Sequence, residues 1–192
     1  MNFTDLPEGC RYLDLRAHID ARGSFVKPFS TSLWRAQKIE EPLAEVFYST
    51  SSRNVLRGMH FQAPPHAQHK IVHCLSGRIL DVLLDLRPGP GYGSMVSLVL
   101  NGDEKSAVAM PPGVAHGFLT LSEEATVLYF TTSEHAPEFD RGIRWDGFGF
   151  DWPVRDPIVS PRDASFPTLE QFRSPFGRAG GDGADRGQEV SQ

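Results

Sequence analysis

The chain has 192 residues, of which 40% are hydrophobic and 22% charged, the make-up of one globular domain large enough to bury a core without staples. A net charge of −5 and a pI near 5.8 speak against a nucleic-acid or anionic-membrane surface, so a phosphate-bearing ligand must meet a local basic cluster. Two cysteines, Cys10 and Cys74, form no disulfide framework, no secretory signal is visible and no apolar run is long enough to cross a bilayer. A cytoplasmic protein that engages neither nucleic acid nor membrane is expected.

From Cys10 to Phe29 the pattern is one of short strands, with Asp20-Ala-Arg-Gly23 reading as a turn in which Gly23 permits a positive φ. Thr31 to Lys38 predicts a short helix capped by Ser30 or Thr31. Glu45 to Ser51 alternates as a strand and leads into Val55–Asp85, the most informative stretch of the chain. There Ile71-Val72, Ile79-Leu80 and Val82-Leu83-Leu84 are strand-forming, with Ser76-Gly77 as a turn between them. Two Arg, four His, one Lys and two Gln lie among these runs, which suits a ligand pocket at the mouth of a β-barrel. Arg87-Pro-Gly-Pro-Gly-Tyr-Gly93 is a loop, Met95–Leu100 a strand and Asn101-Gly-Asp103 a turn. Ala107–Met110 and Ala125–Thr131 are further strands, with Pro111-Pro-Gly113 turning the chain toward His116. Ser165–Phe172 predicts one more short helix. From Gly177 the sequence GRAGGDGADRGQEVSQ lacks an apolar anchor and is expected to be a disordered tail, leaving residues 1–176 as the folded domain. Many short strands punctuated by Gly and Pro predict an all-β sandwich or jelly roll.

Metal binding is weighed first because His66, His69, His73 and His116 lie near the expected pocket. Pro112-Gly-Val-Ala-His116 resembles the second half of the cupin metal motif, in which a His follows a Pro-x-Gly turn. Where the first half of that motif carries its acidic ligand, this chain has Lys70, whose ammonium cannot ligate and repels a divalent cation. No metal and no other cofactor is expected, and the fold is read as a cupin-type jelly roll, a double-stranded β-helix with short peripheral helices.

Arg57-Gly-Met-His-Phe-Gln62, Lys70, Asp81-Val82, Asp85-Leu-Arg87 and Ala115-His-Gly-Phe118 occur in an order that resembles the dTDP-4-dehydrorhamnose 3,5-epimerase family. Arg141-Gly-Ile-Arg-Trp145, Asp151-Trp-Pro153 and Ser160-Pro-Arg-Asp163 extend the resemblance over about Tyr12 to Phe172. The resemblance implies a metal-free homodimer that inverts carbons beside the ketone of a nucleotide-diphospho-4-keto-6-deoxy sugar, as a step in making a deoxysugar. Such chemistry needs a base for a weakly acidic proton, a cation at the developing enolate oxygen and an acid on the opposite face of the ring. The resemblance assigns His60 as the base, Asp163 as its carboxylate partner and Lys70 as the cation. It gives phosphate binding to Arg57, with Arg22, Gln62, His116 and Arg162 assisting.

Three positions depart from the family pattern. His135 stands two residues before Pro137, where the family carries its acid Tyr, so His135 either donates as an imidazolium or leaves the second face without an acid. Lys27 replaces a Glu in the family's Arg-Gly-x-Phe-x-Glu segment, and Glu45 and Phe47 replace a Gln-x-Asn pair. These are positions that meet base and ribose in thymidine-using members, so CDP, and after it GDP, is expected as the carrier. A non-catalytic sugar-nucleotide-binding cupin is the alternative in another class, and a metal-dependent cupin a weaker third.

Overall fold

The computed structural model describes residues 6–177. The elements are β1 (Arg11–Asp14), β2 (Ala17–Asp20), β3 (Gly23–Val26), α1 (Thr31–Ala36), β4 (Glu45–Ser52), β5 (Leu56–Gln62), β6 (Lys70–Ser76) and β7 (Arg78–Asp85). They continue with β8 (Met95–Asn101), β9 (Ser106–Met110), β10 (Val114–Thr120), β11 (Glu124–Thr131), β12 (Asp140–Gly142) and α2 (Pro161–Ala164). Two five-stranded sheets run in the orders β1-β9-β6-β11-β4 and β12-β5-β10-β7-β8, with β2 and β3 forming a separate hairpin. All pairs of named strands are antiparallel, and from β4 onward the chain shuttles between the sheets in jelly-roll fashion.

The alternation of side chains along each strand explains the layering. On β6, Val72 and Cys74 face the other sheet, while Ile71 turns outward; on β10, Val114 and Phe118 face inward and Ala115 and Leu119 outward. The inward set closes with Ile79, Leu83, Val108, Met110 and Val127 into the core between the sheets. The outward residues of the first sheet are covered by α1 through Trp34, together with Ile39. Those of the second are covered by the C-terminal segment through Ile143, Phe148, Trp152 and Phe176. That wrap is why both faces of β7 and β10 read as continuous apolar runs.

Ser76-Gly77 turns the chain as expected, but β6 and β7 belong to different sheets, so the turn is a corner and not a hairpin. Gly77 has φ +75°, and a Cβ there would stand 2.1 Å from the Glu124 carbonyl oxygen. The helix start expected at Ser30 or Thr31 falls to Ser30, whose hydroxyl accepts the Leu33 N–H at 3.2 Å. The helix expected over Ser165–Phe172 is instead α2, one turn earlier, with Ser160 as N-cap and Pro161 opening the first turn. Pro167 explains the difference: it lacks an N–H and disfavours helical geometry at Phe166. Thr168–Phe172 keeps a single turn, closed by Phe172 N–H on the Thr168 carbonyl. No helix among the described residues is long and apolar enough to cross a membrane. Apart from Gly177, the segment expected to be disordered lies outside the described residues.

Candidate active site

β5 is the strand on which the site is built. Its neighbour β10 sets His116 opposite His60, and on the other side β12 sets Gly142 opposite His60 and Asp140 opposite Gln62. The β5–β10 register slips between His116 and Phe118, which leaves one extra residue on β5 around Gly58. The strands approach so closely there that a Cβ on Gly58 would stand 2.5 Å from the Gly117 Cα. Across the sandwich, Lys70 opens β6 and pairs in register with Thr131 of β11, whose other neighbour β4 brings Glu45 and Phe47 to the same end.

A cavity of about 390 Å³ opens between these strands. Of the residues expected at the site, Glu45, Phe47, Arg57, His60, Gln62, Lys70, His116 and His135 line it. Asp163 lies behind His60, 4% exposed, with Oδ1 2.9 Å from His60 Nε2. An ionised carboxylate only accepts, so the ring proton sits on Nε2 and leaves Nδ1 as the basic atom. Asp163 Oδ2 accepts the Gly58 N–H at 3.0 Å. Burial works against the ionised Asp163, but hydrogen bonds from His60, the Gly58 N–H and Ser160 outweigh it and hold its pKa below the usual carboxylate range. Burial pushes the Lys70 ammonium down to about 8, while the carboxylates of Asp140 and Asp81 pull the other way.

Other expected residues meet different partners. Arg57 Nε donates to Ser51 Oγ at 2.9 Å, which orients an otherwise exposed guanidinium. Arg162 lies outside the cavity lining and pairs with Asp140 at 2.7 Å. Arg22 and Lys27 are far along the β2–β3 segment; Arg22 pairs with Asp20 at the exposed hairpin turn, and neither lines the cavity. Glu45 and Gln62 do line it, yet their polar atoms hold the loop between β11 and β12. Glu45 Oε2 accepts the His135 N–H at 3.0 Å, and Gln62 Oε1 accepts the Ala136 N–H at 2.6 Å.

The structure also adds residues to which the sequence reading gave no role at the site. Asp140 lines the cavity beside His135. Asp81 binds His116 Nε2 at 2.7 Å, so a second buried imidazole–carboxylate pair stands on the cavity side of β10 and β7. Its signal was the Asp81 in an apolar run, an inward position that needs a partner. Tyr129 lies under Phe47, ring centroids 4.7 Å apart and nearly parallel, and burial raises its pKa so that it presents a hydroxyl and not a phenolate. His66 packs on Phe139, His69 faces Glu41 and His73 binds the Ser106 carbonyl. Among the described residues no three His, Cys, Asp or Glu side chains converge as a metal-binding set.

Residues 4–171 match the family model of dTDP-4-dehydrorhamnose 3,5-epimerase. The chain belongs to this family. It is 39% identical over 166 residues to the dTDP-4-dehydrorhamnose 3,5-epimerase of Escherichia coli K12, covering 83% of this chain and 89% of that one. It superposes with TM-score 0.83 on a dTDP-6-deoxy-D-glucose-3,5-epimerase of Legionella pneumophila in complex with dTDP-4-keto-L-rhamnose, at 30% identity over 87% of this chain and 91% of that one. A TM-score of 0.79 relates it to ChmJ, a 3'-monoepimerase from Streptomyces bikiniensis in complex with dTDP-quinovose, 31% identical over 85% of each chain. In this epimerase scaffold the cavity end of the sandwich, where β5, β6 and β10 meet, carries the ionisable groups, and the rest of the inter-sheet core is apolar.

Proposed function

We propose that the chain inverts one or both carbons flanking the ketone of a nucleotide-diphospho-4-keto-6-deoxy sugar by removing an α-proton and returning one from the opposite face. The observation that carries this reading is the His60–Asp163 pair at 2.9 Å, opening onto a cavity that also contains Lys70. His60 Nδ1 takes the proton from carbon, the electron pair of the C–H bond becomes the enolate π bond, and the Lys70 ammonium faces the enolate oxygen. His135, which also lines the cavity, returns a proton to the other face. Arg57 and His116 hold the diphosphate, and Phe47, 41% exposed and backed by Tyr129, offers a flat surface to the ligand.

The carrier to test first is dTDP, the nucleotide named for the Legionella and Streptomyces complexes. The expectation of CDP or GDP drew on Lys27, Glu45 and Phe47. The engagement of the Glu45 carboxylate by the His135 N–H removes one of the three from base reading and leaves Lys27 and Phe47 as its support. We also propose a homodimer in which the β2–β3 hairpin, with Ile19 80% and Phe25 62% exposed, lies against a second copy and delivers Arg22 to its phosphate site.

The test is deuterium uptake beside the ketone, with dTDP-, CDP- and GDP-linked 4-keto-6-deoxyhexoses in D2O. His60→Ala and Asp163→Asn are each expected to lower the exchange rate by about 10²–10⁴-fold. Exchange that persists unchanged in His60→Ala removes His60 as the base.

A further inference from the structure

His116 is the second imidazole of the cavity, and the atoms it offers decide what it can grip. It stands on β10 opposite His60, with the Tyr129 ring edge-on at 6.2 Å between centroids. Its Nε2 lies 2.7 Å from Asp81 Oδ2, and the two side chains are 4% and 0% exposed. Nδ1 has no hydrogen-bond partner among the described residues, which leaves it as the atom for a ligand in the cavity that His116 lines. Asp81 comes from β7, and its Oδ1 is buried without a hydrogen-bond partner. An ionised carboxylate only accepts, so a neutral His116 carries its hydrogen on Nε2 and a lone pair on Nδ1. A phosphate oxygen also only accepts. One more proton is therefore needed before this ring can hold a diphosphate.

We propose that the Asp81–His116 pair takes up one proton from solvent as the diphosphate binds, with Asp81 as the positioning residue that fixes Nε2 and turns Nδ1–H onto a phosphate oxygen. The inference rests on the reading of His116 as a diphosphate contact. The added proton belongs to the pair. It makes His116 an imidazolium against an ionised Asp81, or it passes to Oδ2 and leaves a neutral ring with its hydrogen on Nδ1. Both distributions offer phosphate a donor, and both neutralise a buried carboxylate that a single hydrogen bond leaves under-compensated. Arg57 and His60 of β5, Lys70 of β6 and Tyr129 of β11 line the same cavity, as do Glu45, His135 and Asp140. The charge of Asp81 also reaches Cys74 and Cys10, which burial pushes up to about 11 and about 12 and so keeps as thiols. His60 and Lys70 are the other cavity groups able to gain a proton near neutral pH.

The experiment is calorimetric titration of dTDP-glucose into the protein, from about pH 6.5 to 8.5, in buffers of differing ionisation enthalpy. This probe lacks the ketone, and its diphosphate, esterified at both ends, does not titrate in that range. The difference in heat between buffers counts the protons taken up. For the unmutated protein the count is expected to climb toward one as the pH rises, with Kd increasing by up to about tenfold per pH unit. His60→Asn and Lys70→Met keep the uptake. Asp81→Asn loses it: the side-chain amide donates to Nε2, the neutral ring keeps its hydrogen on Nδ1, and Kd varies by less than about twofold over the range. His116→Gln loses it as well and binds about tenfold more weakly at pH 7. No uptake at any pH in the unmutated protein, a result that needs no variant, overturns the proposal, and so does uptake that persists in Asp81→Asn. In either case a weakened His116→Gln still leaves His116 on the diphosphate. Uptake that vanishes in Lys70→Met or His60→Asn assigns the proton to that residue and overturns the proposal too. Unchanged affinity in His116→Gln removes the diphosphate contact and the proposal with it.

Discussion

Lys70 reaches the cavity from the first residue of β6, and its situation yields a prediction of opposite sign for stability and for activity. Its folded pKa, about 8, lies below the ordinary lysine value of 10.5, so the unfolded chain binds the proton more tightly. The charged side chain therefore opposes folding below pH 8, and that cost fades as the pH rises from about 8 toward 10.5. Lys70→Met is expected to raise Tm at pH 7 by about 2–4 °C for each kcal/mol relieved, with up to about 2 kcal/mol available. Asp140 and Asp81 keep Arg162 and His116 as partners in that variant. Turnover is lost at the same time. In the unmutated protein, kcat/KM for a sugar whose enolate needs the ammonium falls as pH rises through about 8, a limb that a pH series on Lys70→Arg should move to higher pH. A limb that stays in place assigns it to another group. The convergence of His60, Lys70 and Asp163 on one site was legible in the sequence because their neighbours form motifs. Asp140 was not: an Asp-Arg-Gly at the start of a three-residue edge strand carries no pattern, and its partners Arg162 and His135 sit 22 residues downstream and 5 upstream.

At the scale of elements, the extra residue on β5 connects the fold to the chemistry. Gly58 has φ +121°, its N–H reaches Asp163, and a Cβ there would stand 2.5 Å from Gly117 Cα and 2.8 Å from the His116 carbonyl oxygen. Both contacts are backbone and cannot swing away. Gly58→Ala is expected to cost about 2–4 kcal/mol in urea unfolding and to lower exchange activity in whatever protein remains folded. Gly149 is the comparison, since φ is +83° there but nothing lies within 4 Å; Gly149→Ala should cost about 1–2 kcal/mol, the left-handed strain alone. Equal effects at the two sites remove the close approach as the cause. The alternating apolar pattern announced most of the strands, because burial on one or both faces dictates it. It did not announce which strands pair: β6 and β7 adjoin in sequence and part into different sheets. Nor did it reveal that Glu45 holds a loop 90 residues away, since a side chain's backbone partner leaves no trace in composition.

For the whole molecule, the exposed β2–β3 hairpin yields a complementation test of the proposed dimer. Arg22→Ala is expected to raise KM about tenfold with little change in kcat, the loss of a charge-assisted phosphate contact. If the hairpin serves the partner's cavity, Arg22→Ala and His60→Ala subunits mixed one to one and assayed at substrate well below KM recover roughly a quarter of the unmutated activity, since half the dimers are hybrid and each hybrid holds one intact site. Recovery no greater than the sum of the two variants removes the exchange of hairpins. The C-terminal wrap has a consequence of another kind. Asp163 rides on α2, late in the described chain, while the strands that shape the cavity are complete by Gly142. A nascent polypeptide can thus close its sandwich while residues near 163 are still inside the ribosome, and on the proposed mechanism it stays silent until that last stretch emerges and docks beneath His60.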